Sequence, residues 1–186
     1  MSINKYVGDY RLIEEFDEKG RVHHSHEYIG KPYYFVSGPD EVAAARKKLL
    51  ILGAAAFVFY IAAMIPASDM MHSMFVSLPF AFCAVPLFIL MTTVWQVPGG
   101  TKKPMERRLA ERISNRIPQC GMFLMILSAA ALIGTAGVIL SRIFGSGSTF
   151  RTGNVIFTVM AASLMAAAVL IFRSRTVFSV YCAGEA

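Results

Sequence analysis

Charge is what this sequence has least of. Only 16% of its residues are Asp, Glu, Lys or Arg, against 55% apolar ones; soluble globular chains carry about 25% charged residues. The shortage is concentrated in four runs, 49–65, 74–97, 117–141 and 154–172, which contain no Asp, Glu, Lys, Arg or His at all. Proton-coupled transport depends on acids or histidines inside the membrane, and catalysis on titratable groups gathered in a pocket. Runs empty of both argue against either and confine any chemistry to the ends of the apolar segments.

Cysteine is nearly absent too. Cys83, Cys120 and Cys182 are the only three, and none forms a CxxC pair. Structural disulfides are not expected, nor is a cofactor. The first apolar run begins near Leu49, too late for a cleavable leader. The chain is expected to insert through its first span and to keep its N-terminus.

The run 74–97 is long enough, at roughly 1.5 Å per residue, to cross a hydrocarbon core of about 30 Å as a tilted helix, and all four runs fall within the range of about 17–25 residues that membrane helices need. What orders them is the stretch 101–116, TKKPMERRLAERISNR, with Lys102, Lys103, Arg107, Arg108, Arg112 and Arg116 against Glu106 and Glu111. Positive charge near span ends resists translocation, so this loop is expected to be cytoplasmic. The other cations follow. Eight lie in 1–48, six in 98–116 and two in 173–186, all on the loop's side, whereas only Arg142 and Arg151 fall opposite. That split of sixteen to two predicts four spans with both termini in the cytoplasm. A cell (plasma) membrane is the expected location.

The fold class expected is therefore an all-α membrane protein: a four-transmembrane-helix bundle with a small cytoplasmic β extension at its N-terminus. Residues 1–38 form the extension, 39–175 the membrane domain and 176–186 a tail. In the extension, YRLIEEF at 10–16, a turn over Asp17-Glu18-Lys19-Gly20, and a return from Arg21 to Tyr28 read as a hairpin. YYFV at 33–36 reads as a third strand. Pro39 followed by Asp40 and Glu41 suits the first turn of a helix. Pro79 and Pro86, seven apart, predict a bend in the second span.

Within the basic loop, Pro104 is expected to open a helix on which Met105, Leu109, Ile113 and Ile117 recur at i, i+4. Arg108, Arg112 and Arg116 run beside that stripe, so the segment is expected to lie against anionic lipid headgroups. The six cations of the loop are the candidate site. Because the patch sits between spans, nucleic acid is not expected as a partner. A solvated extension of the third span is the plainer alternative. TVFSVY at 176–181 alternates like a strand and is expected to join the N-terminal β unit.

Other local features weigh less. His24 and His26 share a face of the returning strand beside His23, a workable pair of zinc ligands with no second cluster to complete the set; metal binding is not expected. Gly53 to Ala56, Ala130 with Gly134, nearby Gly137, and Ala162 with Ala166 follow small-residue spacing. These positions permit close helix contacts within the bundle or between subunits. The sequence thus favours a non-enzymatic accessory, scaffolding or regulatory subunit that presents cytoplasmic surface to a protein partner or a second copy. An oligomeric channel or uncoupled transporter, using the bends and hydroxyls such as Ser77, Thr92, Thr93 and Ser128, is the rival class. A lipid-acting enzyme is the third.

Overall fold

The computed structural model describes residues 3–16, 22–65, 69–99, 104–145 and 152–183. A turn of 3-10 helix, Ile3–Asp9, leads into β1 (Tyr10–Phe16), β2 (Val22–Tyr28) and β3 (Tyr33–Phe35). Helices α1 (Pro39–Met64), α2 (Met74–Phe82), α3 (Ala84–Trp95), α4 (Arg107–Gly145) and α5 (Thr152–Arg173) follow, and the chain closes with β4 (Val180–Cys182). Four helical units, taking α2 and α3 together, are long and apolar enough to cross a membrane.

Helix α4 is the common neighbour of α2, α3 and α5, and α1 closes the ring by packing on α5 and α3. The buried stripe of α1 is Leu49, Gly53, Ala56 and Ala63, spaced to fall on one helical face. Its opposite side carries Ile51, Val58 and Ile61 to the exterior. The exterior as a whole is apolar: Met74, Phe75, Ile133 and Phe144 are each at least 73% exposed. Such a surface has no place in water, and it agrees with the apolar runs.

An aromatic ladder crosses the bundle. Tyr60 of α1 stacks on Phe80 of α2 at 5.0 Å, and Phe80 meets Phe157 of α5 at 5.1 Å. Glycine brings two backbones close to α4. A Cβ on Gly134 would sit 2.6 Å from the Phe75 carbonyl oxygen, and one on Gly121 would sit 3.1 Å from Cα of Phe172. Gly137 has open space around it, and Ala162 and Ala166 face outward. The small-residue pattern therefore marks a close contact at Gly134 and, among the described residues, open space at Gly137.

The bend in the second span is a break. Pro86 has no N–H to donate to the carbonyl of Phe82. The chain tightens there: the Cys83 N–H donates to the Phe80 carbonyl at 3.1 Å before α3 resumes. By contrast, α4 runs unbroken for 39 residues, through Pro118.

Three expectations need correction. The N-terminal strands do not form one three-stranded unit. β1 and β2 pair antiparallel from Tyr10↔Tyr28 to Phe16↔Val22, and β3 leaves them to pair with β4, Tyr33↔Cys182 through Phe35↔Val180. The tail strand is shorter than the alternating stretch, because Ser174–Phe178 continues α5 as 3-10 helix and Phe178 is buried. The helix expected from Pro104 starts at Arg107 instead, since Met105 is held extended by reciprocal backbone bonds to Tyr33 at 2.9 and 3.1 Å. The turn expected over residues 17–20 lies outside the described residues.

Candidate functional site

The side of the bundle where α1 and α4 begin carries the β structure and most of the described polar interactions. β3 sits in the middle of it. One edge pairs with β4, the other takes the Met105 bridge, and the Ala183 N–H reaches the Pro32 carbonyl at 3.1 Å. Phe35 packs edge-on to Phe178 at 6.2 Å, and Tyr34 lies 6.0 Å from Tyr181 across the strands. N-terminal segment, central loop and tail thus meet at one three-residue strand.

The β1–β2 ribbon is fastened at its foot to the first turns of α4. Tyr10 donates to Oε2 of Glu106 at 2.6 Å, and Tyr6 donates to Oε2 of Glu111 at 2.8 Å. The first turn of a helix leaves N–H groups without partners inside the helix. Here the Tyr28 hydroxyl accepts from the Arg107 N–H at 3.1 Å and donates to the Lys31 carbonyl at 2.8 Å. Arg107 donates through Nε to Glu111 at 3.0 Å and reaches to 3.9 Å from Asp9, whose backbone carbonyl accepts from Ile29 and Gly30. Gly30 is required beside the Tyr28 ring, because a Cβ there would lie 2.7 Å from Cζ. The bond to Glu106, then burial, push the Tyr10 phenol up to about 12. The bond to Glu111 raises Arg107 in turn.

Beyond this foot the ribbon stands clear. Leu12 and Val22 are exposed, as are Arg11, Glu14, His24, His26 and Glu27, and Ile29 is exposed beside the foot. Among the described residues β1 and β2 pair only with each other. His24 faces Glu14 across the strands at 3.9 Å in solvent. No group of three His, Cys, Asp or Glu side chains fit to hold a metal occurs among the described residues.

The structure divides the six loop cations. Lys102 and Lys103 lie outside the described residues. Arg107 is turned into the ribbon's foot, and Arg108 is exposed. Arg112 donates through Nη1 to Oε1 of Gln96 at 3.1 Å, just past the C-terminus of α3. Arg116 is half-buried one turn further on. The apolar stripe beside them does not offer a face to a bilayer: Met105, Ile113 and Ile117 are buried in the core and Leu109 packs against it. From Arg107 the segment is the beginning of α4, with its apolar stripe turned to the protein core.

No protein family, curated protein or solved structure matches this chain. The site is accordingly read from its own residues. Those the sequence did not single out are Tyr6, Asp9, Tyr10 and Tyr28, whose partners lie far along the chain, and Arg46. Arg46 donates from α1 to the Trp95 carbonyl at 3.3 Å, on the same helix end that Arg112 reaches from α4. Its only signal was its place in Arg46-Lys47-Lys48 at a span boundary.

Proposed function

We propose that this protein is a non-enzymatic four-span membrane protein, an accessory, scaffolding or regulatory subunit, that presents the β1–β2 ribbon to a protein partner on the cytoplasmic side of a cell membrane. The observation that carries this reading is the ribbon. It is held at its foot by Tyr6, Tyr10 and Tyr28, while Leu12 and Val22 are exposed and, among the described residues, its two strands pair only with each other. A two-stranded ribbon is marginal by itself, and free strand edges with apolar side chains are what strand-adding partners recognise. The charge split of sixteen to two supports the orientation.

The rival channel reading draws less support. The hydroxyls of Thr93, Ser128 and Thr135 are buried and donate to carbonyls of their own helices, which leaves them poorly placed to line a path for solute. The test is purification of the tagged full-length protein in mild detergent beside a Leu12→Lys, Val22→Lys variant. A stoichiometric protein that co-purifies with the parent and is lost from the variant supports the proposal. A defined homo-oligomer that conducts ions in liposomes and retains no partner would replace it. Cysteine probes placed at 68 and 146 should label from outside intact cells, and a probe at Lys47 should not.

A further inference from the structure

Two guanidinium groups from different helices bond at the C-terminus of α3. Arg46 comes from α1 and donates to the Trp95 carbonyl at 3.3 Å; Arg112 comes from α4 and donates to the Gln96 side chain at 3.1 Å. The chain leaving α3 presses on the first of them, since a Cβ on Gly99 would lie 2.8 Å from Arg46 Nη1. A helix C-terminus offers about half a negative charge, so two cations leave roughly 1.5 positive charges unbalanced there. None of the ion pairs formed between described residues involves Arg46, Arg108, Arg112 or Arg116. Arg108 and Arg116, one turn to either side of Arg112, add to the excess.

A second observation points the same way. The Nε of Arg46 is shut off from solvent yet has no acceptor, a costly state for a charged donor. Trp95 beside it is 73% exposed, an aromatic ring at the height where a headgroup layer meets the apolar core.

We infer that this corner is a binding site for the phosphate of an anionic phospholipid, held between Arg46 and Arg112 with its acyl chains beside Trp95. The planar donor fork of arginine matches phosphate oxygens, and one phosphate would offset most of the local charge. The inference rests on the membrane reading above.

Trp95 is the single tryptophan of the chain, so its emission reports this corner alone. The full-length protein in neutral-detergent micelles is titrated with acyl-chain-brominated phosphatidylglycerol and, separately, brominated phosphatidylcholine. Quenching should favour the anionic lipid on the order of tenfold. The preference should vanish in Arg46→Gln, Arg112→Gln and persist in Arg173→Gln. Should the double variant not fold, Arg46→Gln alone is read in the same way. Equal quenching of the parent by both lipids, or a preference that survives the Arg46 and Arg112 substitutions, overturns the site and leaves the membrane reading standing. Absence of quenching by either lipid overturns the membrane reading itself. Inorganic phosphate is the competitor: displacement of the brominated anionic lipid at low millimolar phosphate would assign the site to a soluble anion, and resistance to it supports the lipid.

Discussion

Tyr10 donates a 2.6 Å hydrogen bond to Glu106, a residue 96 positions further along the chain. The bond ties the start of a β-ribbon to the start of the longest helix. Arg107 and Glu111 surround it with charge, and Tyr28 closes it from the second strand. Changing Tyr10→Phe should loosen the ribbon without unfolding the bundle. A hydrogen bond to a charged acceptor at a partly exposed site contributes about 1 kcal/mol, so amide exchange over 10–16 and 22–28 should quicken roughly fivefold. Exchange in α5 should not change.

The same bond sets a pH window. Its phenol must be protonated to donate, and its ionisation lies at about 12 in the folded chain against 10.0 for a free tyrosine. A group raised on folding stabilises the folded form below its unfolded pKa, and that contribution is lost as pH climbs through the folded value. The bond's contribution should be present up to about pH 10 and lost between 10 and 12, loosening the ribbon as Tyr10→Phe does. Absorbance at 295 nm should show tyrosine titrating late, burial raising Tyr33 as well, and Tyr10→Phe should shrink that late component.

Glycine substitutions in α4 should separate contact from empty space. Gly134→Ala drives a methyl group into the Phe75 backbone and should destabilise the bundle by about 1–3 kcal/mol. Gly137→Ala meets nothing within 4 Å and should stabilise it by roughly 0.5–1 kcal/mol. Thermal unfolding of the two variants in the same detergent gives the comparison, and shifts of the same sign would contradict it.

Deleting residues 180–186 removes β4. Exchange should rise at Tyr33–Phe35, which lose their antiparallel partner, and stay unchanged in β1 and β2, which belong to a separate sheet. A rise in the ribbon would mean that the two sheets are coupled.

The apolar helices were legible because a run without charge can be read without knowing its neighbours. The hairpin was legible for a similar reason: Tyr10 to Phe16 and Val22 to Tyr28 are close in sequence and pair locally. The partner of β3 was not, because nothing in YYF states whether its edge meets Glu27 or Cys182. The stripe Met105, Leu109, Ile113, Ile117 announced an apolar helix face but not what covers it. A bilayer interface and a protein core ask for the same side chains, and here the core takes them. The candidate site was legible as positive charge only. Which arginine pairs with a carboxylate and which does not depends on Asp9, Tyr6 and Gln96, residues that look ordinary at any surface.

The pairing of β3 with β4 has a consequence for biogenesis. Tyr33–Phe35 precede the first apolar helix and Val180–Cys182 follow the last, so the two strands meet only when the chain between them crosses an even number of times. A skipped span would strand them on opposite sides. The short sheet thus acts as a parity check on insertion, and it can close only once Val180–Cys182 have been made.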